Sequence, residues 1–232
     1  MINLRNRSVE PEIMDDFDLP SEEIDPVLAG LGQMNALFGG HKSLIRALWG
    51  FPITNDNTIS DWGCGGGDAL IAVARQAQKD NINLKLTGID AAPAAIKFAI
   101  EKSDGFSNIN YEKADVLLDN FAPNRFDIVI SSLFTHHFAD DEWVVLIKKM
   151  NNTAKRGVII TDLHRHRILY YAVIVITRLF TKNKMARYDG PLSVKRSFKR
   201  HELVALLNRA GIKKYKLTWM WAFRWQIIIY KS

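Results

Sequence analysis

A single cysteine, Cys64, stands among 232 residues, so no internal disulfide can form and a reducing compartment suits the chain. Long apolar runs are missing too. The longest, Ile168 to Ile176, has nine residues, too few for a helix that crosses a bilayer. The opening residues, MINLRNRS and then an acidic stretch, lack the apolar centre of a secretion signal, and a cytoplasmic location is the expectation. Internal repeats and low-complexity tracts are absent. Acidic residues are scarce in the last third: residues 148–232 hold 20 Lys/Arg against 3 Asp/Glu, net +17, whereas residues 1–147 hold 11 against 22, net −11. Such polarity suits an anionic partner (nucleic acid, an acidic membrane surface or a phosphorylated substrate). It equally suits a basic half that pairs with the acidic half, and the scatter of the basic residues favours that account.

What remains is an ordinary globular composition, 47% hydrophobic and 24% charged, long enough for one core. Residues 1–50 read as a mobile acidic lead-in followed by a helical cap: apolar residues recur at helical spacing from Asp25 to Trp49, with Gly39-Gly40 as a joint. Residues 51–232 form the main domain. Short apolar runs alternate there with helical stretches: strands at Thr58–Trp62, Leu84–Ile89, Ile109–Ala114, Phe126–Phe134 and Gly157–Asp162, helices at Asp68–Lys79, Pro93–Lys102 and Asp140–Ala154. This order predicts an α/β, Rossmann-like, doubly wound and mostly parallel sheet with helices on both faces. A helix over Phe198–Ala210, closed by Gly211, precedes two extended stretches, Tyr215–Ala222 and Trp225–Tyr230, that should pair antiparallel. Leu217, Trp219, Trp221, Phe223 and Trp225 put bulk on one face there, as core packing requires.

The sharpest motif lies between the first strand and the first helix of that series: Asp61-Trp62-Gly63-Cys64-Gly65-Gly66-Gly67-Asp68. Its glycines allow a tight turn and close approach of a ligand to backbone amides at a helix N-terminus. Asp90, at the end of the second strand, is placed to accept hydrogen bonds from ribose hydroxyls. The dinucleotide pattern fails, because Asp68 occupies the slot of its third glycine, which argues against a nicotinamide-dependent dehydrogenase. The P-loop fails for want of Gly-Lys-Ser/Thr. Asp61 and Asp68 surround the loop with negative charge, a poor setting for pyrophosphate and a better one for an amino group and a sulfonium cation.

These residues, with Ala114-Asp115 and Phe126-Asp127-Ile128-Val129, resemble the motifs of class I S-adenosylmethionine-dependent methyltransferases over residues 58–134. The resemblance implies a seven-stranded sheet with an antiparallel last strand and S-adenosylmethionine as cofactor. It implies that Asp61, Gly63, Cys64, Gly65 and Gly67 hold the methionine moiety. Asp90 and Ala91 would take the ribose, Asp115 and Val116 would flank the adenine, and Ser131 would lie at the end of the fourth strand. Trp62 replaces the small aliphatic residue usual at its position.

The acceptor is constrained by exclusion first. No Asn/Asp-Pro-Pro-Tyr/Phe cluster follows the fourth strand, and no second cysteine is present for attack on a pyrimidine ring. Nucleic acid is therefore disfavoured, with an RNA methyltransferase gripping through the basic tail as the alternative. His136 and His137, just past the fourth strand, are candidate bases for a phenol or enol. Asn35 and His41 are candidate substrate contacts if the cap folds over the site. No metal-ligand spacing is present. The segment 164–190 could be a substrate lid, a helix on an anionic membrane surface, or core. Glu12-Ile13-Met14-Asp15-Asp16, Gly39-Gly40-His41, His136-His137 and Asp189-Gly190-Pro191-Leu192-Ser193 give the chain a further resemblance to small-molecule methyltransferases of the ubiquinone/menaquinone type and to relatives that accompany type III polyketide synthases. That implies O-methylation of a hydrophobic phenolic, quinone-like or polyketide acceptor.

Overall fold

The computed structural model describes residues 2–231. Strands β1 (Thr58–Trp62), β2 (Lys85–Asp90), β3 (Ile109–Lys113), β4 (Phe126–Ser132), β5 (Ala154–Leu163), β6 (Tyr215–Met220) and β7 (Arg224–Tyr230) form one sheet, ordered β3-β2-β1-β4-β5-β7-β6. The first five pair parallel, and β7 runs antiparallel between β5 and β6. The helices are α1 (Ser21–Leu37), α2 (Gly40–Leu48), α3 (Asp68–Lys79), α4 (Pro93–Lys102), α5 (Asp140–Thr153), α6 (Arg167–Phe180), α7 (Lys184–Arg196) and α8 (Arg200–Arg209).

The central strands are buried on both faces, which is why they read as unbroken apolar runs. Val129, Val158, Ile160, Ile227 and Ile229 pack toward α5 and α8 with Trp143, Ile147, Leu203 and Leu207. Their neighbours Ile128, Ile130, Ile159 and Ile228 pack toward α2 and α3 with Leu44, Leu48, Leu70 and Val73. Trp62 is fully buried on the α5 side, 4.7 Å from the Phe121 ring, so its bulk fills core. Strand order reverses between β1 and β4, and the loops that leave their carboxyl ends frame one crevice.

Three expectations are corrected. The lead-in is packed: Leu4 and Glu12 are buried, and Arg7 donates to the carbonyls of Arg196, His136 and Phe138. Its acids meet bases of the last third, Glu10 with Lys195 at 3.1 Å and Asp15 with Arg196 at 2.5 Å. The helix within 164–190 is not core, since none of the residues of α6 is buried. The aromatic stripe breaks at the β6–β7 turn, where Phe223 takes a φ of 57°. Leu217 and Trp225 join the core, while Trp219 and Trp221 stay exposed, Trp221 at 73%.

Candidate active site

The glycine loop follows from its backbone. Gly63, Gly65 and Gly67 have φ of 68°, 48° and 74°, the left-handed region that suits glycine. Space enforces the same choice: a Cβ on Gly63 would lie 2.1 Å from the Phe134 ring, and one on Gly67 2.4 Å from the Tyr111 hydroxyl. Asp90 ties this loop to β2, its Oδ2 accepting the Gly65 N–H at 2.8 Å and its Oδ1 the Ala92 N–H at 3.0 Å. Cys64 is buried, and desolvation with the charges of Asp90 and Asp61 pushes its thiol up, so it is a packing group.

Asp61 is buried, and its Oδ1 has no hydrogen-bond partner among the described residues. Desolvation first, then Asp68 and Asp90, raise its carboxyl well above the usual range. Three carboxylates thus bear on one small volume, and a cation placed there would relieve all of them. Asp115 sits half-buried after β3, its Oδ1 accepting from Leu117 and Leu118 N–H, beside the buried Val116. Ser131 is fully buried and donates to the Trp62 carbonyl at 2.8 Å, a tie between β4 and β1 behind the loop. Ala91 continues the chain from Asp90 toward α4.

The cap lies on the loop. Leu28 of α1 reaches Gly65 and Gly66. His41 Nε2 is 2.5 Å from Asp68 Oδ2, Asn35 donates to the same oxygen at 3.2 Å, and buried Arg224 donates to Asn35 Oδ1 at 2.7 Å. These partners hold the Asp68 carboxyl low against burial. Asn35 and His41 are thus brought to the glycine loop rather than to the histidine pair.

The histidine pair occupies a 3₁₀ turn, Thr135–His137, after β4. His136 is buried, its Nδ1 2.6 Å from Asp162 Oδ1, and Asp162 Oδ2 accepts from the Thr135 hydroxyl and the His136 N–H. The half-buried His137 has its Nδ1 2.6 Å from Asp15 Oδ1, and the two rings lie 4.4 Å apart. Phe134 bridges to the glycine loop: its ring covers Gly63, and its centroid is 6.1 Å from that of His137. Glu12 closes the cluster. Burial pushes its carboxyl up to about 7 against the pull of His137, Ser193 and Arg196. Asp189 receives the N–H groups of Ile13 and Met14, and Arg196 bonds Asp15 and the His137 carbonyl. The motifs around Glu12, His136 and Asp189, far apart in the chain, are therefore one site. Sequence reasoning missed Asp162 as a functional residue, although a carboxylate at the carboxyl end of a central strand is where this architecture places such groups.

A model of the family described as "Methyltransferase domain" matches residues 53–211. The chain belongs to this family. None of the curated proteins matches it. Among solved structures, an S-adenosylmethionine-dependent methyltransferase from Aquifex aeolicus is 15% identical, over 91% of this chain and 98% of that one, with a TM-score of 0.65. Magnesium protoporphyrin IX methyltransferase from Synechocystis, with bound S-adenosylhomocysteine, is 16% identical over 87% and 84%, TM-score 0.59. Plantazolicin methyltransferase, also with S-adenosylhomocysteine, is 14% identical over 89% and 90%, TM-score 0.65. In this methyltransferase the family match covers the glycine loop, Asp90 and the histidine pair, and leaves the lead-in, the whole cap and strands β6 and β7 outside.

Proposed function

We propose that the protein transfers a methyl group from S-adenosylmethionine to an oxygen of a hydrophobic small molecule, of phenolic, quinone-like or polyketide character. The observation that carries the donor half is Asp61, a buried carboxylate with an unpartnered oxygen beside the glycine cradle. An amino group and a sulfonium suit that field, and the donor supplies an electrophilic methyl when bound. Asp61 and the loop Gly63–Gly67 would hold the methionine moiety, Asp90 with Ala91 the ribose, and Asp115 with Val116 the adenine. Asp90 also keeps the loop in place.

Methyl transfer from a sulfonium asks chiefly for aligned reactants away from water. The histidine pair is the proposed contact of the acceptor oxygen, and Phe134, packed on Gly63 and near His137, makes the pair a neighbour of the donor loop. Each Nδ1 is turned to a carboxylate, which leaves Nε2 as the ring atom open to a further group. Calorimetric titration with S-adenosylmethionine, S-adenosylhomocysteine and NADH tests the reading. Binding of the first two alone is expected; binding of NADH alone overturns it.

The acceptor's hydrophobic character rests on α6. Ile168, Tyr171, Val175 and Leu179 recur on one side of this helix and are all exposed, with Phe180 at 82%. Arg167, Arg178, Lys182, Lys184 and Arg187 are exposed around them. No helix among the described residues is long and apolar enough to cross a membrane. An apolar stripe with basic flanks suits one lying on an anionic bilayer, from which a greasy acceptor can be drawn. Paired to α6, α7 carries Asp189 and Arg196 into the histidine cluster, so this hairpin links that face to the acceptor site. RNA is less well supported, since Arg165, Lys195, Arg196 and Arg209 pair with acids of the same chain.

A further inference from the structure

We propose that Glu12, His136 and His137 bind one divalent transition-metal ion, of the zinc or cobalt kind, which holds the oxygen of the methyl acceptor. One ligand atom from each of the three residues lies within 4.8 Å of the others. Around a single ion, ligand atoms at roughly 2.0–2.2 Å sit closer together than this. A small inward movement of these side chains closes the set.

The chemistry of the surroundings is that of a ligand site. A metal-binding histidine gives one nitrogen to the ion and its other N–H to a carboxylate or carbonyl, which fixes tautomer and ring direction. Both histidines here have such a partner: His136 Nδ1 lies on Asp162 and His137 Nδ1 on Asp15, each at 2.6 Å. Those carboxylates are themselves held, Asp162 by the Thr135 hydroxyl and Asp15 by Arg196. The free lone pairs belong to the Nε2 atoms.

Glu12 supplies the independent observation. Its side chain is only 2% exposed, its Oε2 accepts from the Ser193 hydroxyl at 2.8 Å, and its Oε1 has no hydrogen-bond partner among the described residues. That oxygen lies 3.8 Å from His136 Nε2. A buried carboxylate oxygen without a donor is costly, and a cation between it and the imidazoles removes the cost. Arg196 stands 3.8 Å from the same oxygen but directs its hydrogen bonds to Asp15, to the Glu10 carbonyl and to the His137 carbonyl.

Two imidazoles and one carboxylate favour a first-row transition ion over magnesium or calcium and leave coordination positions open. The role of the ion rests on the proposed methyl transfer; its binding does not. Held by the ion, the acceptor hydroxyl releases its proton to solvent more readily. The oxygen then forms a bond to the methyl carbon as the carbon–sulfur bond breaks. Its electron pair stays on sulfur, turning the sulfonium into a neutral thioether.

The test uses the full chain freed of metal by chelator and titrated with Co²⁺ followed by absorbance, then with Zn²⁺ in competition. One equivalent of Co²⁺ with a ligand-field band, displaced by Zn²⁺, is expected. Glu12→Gln and His137→Asn should each weaken binding at least tenfold, and Asp162→Asn about 10–100-fold through the ring it orients. Circular dichroism shows that each variant is folded, and S-adenosylhomocysteine titration of the same samples reads the donor site separately. Co²⁺ affinity equal in wild type and in folded Glu12→Gln overturns the metal site, even where the donor binds. Metal binding without donor binding retains the site and removes its proposed role.

Discussion

Asp162 grips His136 twice, by the ring and by the backbone: Oδ1 lies 2.6 Å from Nδ1, and Oδ2 accepts the backbone N–H at 3.0 Å. Its hydrogen-bonded partners, His136 first and then Thr135 and Leu163, hold the Asp162 carboxyl low against its burial. Asp162→Ala removes the partner of four groups at once, counting the Thr135 hydroxyl and the Leu163 N–H. A loss of about 3–5 kcal/mol in urea unfolding is expected, as when one member of a buried pair is removed. A loss below 1 kcal/mol would show the pair to be dispensable.

Asp90→Ala is expected to weaken S-adenosylhomocysteine binding roughly 10–100-fold, the worth of hydrogen bonds to a charged acceptor. The variant also frees the Gly65 N–H that Asp90 holds. Calorimetry reads the change, and unaltered affinity removes Asp90 from the donor site.

Much of this was legible in advance. Helices α3 and α4 fall where the caps and apolar spacing predict them, because glycine and proline at their starts leave little choice. β5 is longer than predicted, since Ala154–Arg156 extends it before the apolar run begins. The proposed donor residues are contiguous or lie at strand ends, so their nearness to one another was visible in the chain. The cluster around His136 was not: Glu12, His136, Asp162 and Arg196 meet only through tertiary contacts, and no local period links them. The lead-in looked solvated because its bases lie more than 170 residues away.

Gly40→Ala should loosen the cap. A Cβ there falls 1.8 Å from both Arg224 Nη1 and Asn35 Oδ1, the atoms that brace Asp68. The expected cost is about 1–3 kcal/mol, a fall of several degrees in Tm. An unchanged melting curve would mean that the brace yields freely.

Folding stability should depend on pH through His164. Burial among aromatic rings, followed by the charges of His166, Arg165 and Lys199, lowers its pKa to about 4 from 6.5. The unfolded chain then binds the proton more tightly, so the stabilisation is complete above pH 6.5 and is lost as pH falls toward 4. His164→Gln should flatten that part of the urea-midpoint profile. An identical slope in the variant assigns the effect elsewhere.

Leu179→Glu with Phe180→Glu should abolish sedimentation with vesicles rich in phosphatidylserine while sparing S-adenosylhomocysteine affinity. Both side chains are exposed, so the fold has no stake in them. Equal sedimentation of variant and wild type rules out the α6 face as the membrane contact.

The threading of the lead-in across α7 also sets an order of events during synthesis. Arg7, Glu12 and Asp15 leave the ribosome more than 170 residues ahead of their partners Ser193 and Arg196. Domain cores can condense as they appear, whereas contacts this distant in sequence wait for the later segment and slow folding. A nascent chain that has not yet made α7 displays the glycine loop without the finished histidine cluster. Emergence of α7 and assembly of the proposed acceptor site are thereby coupled.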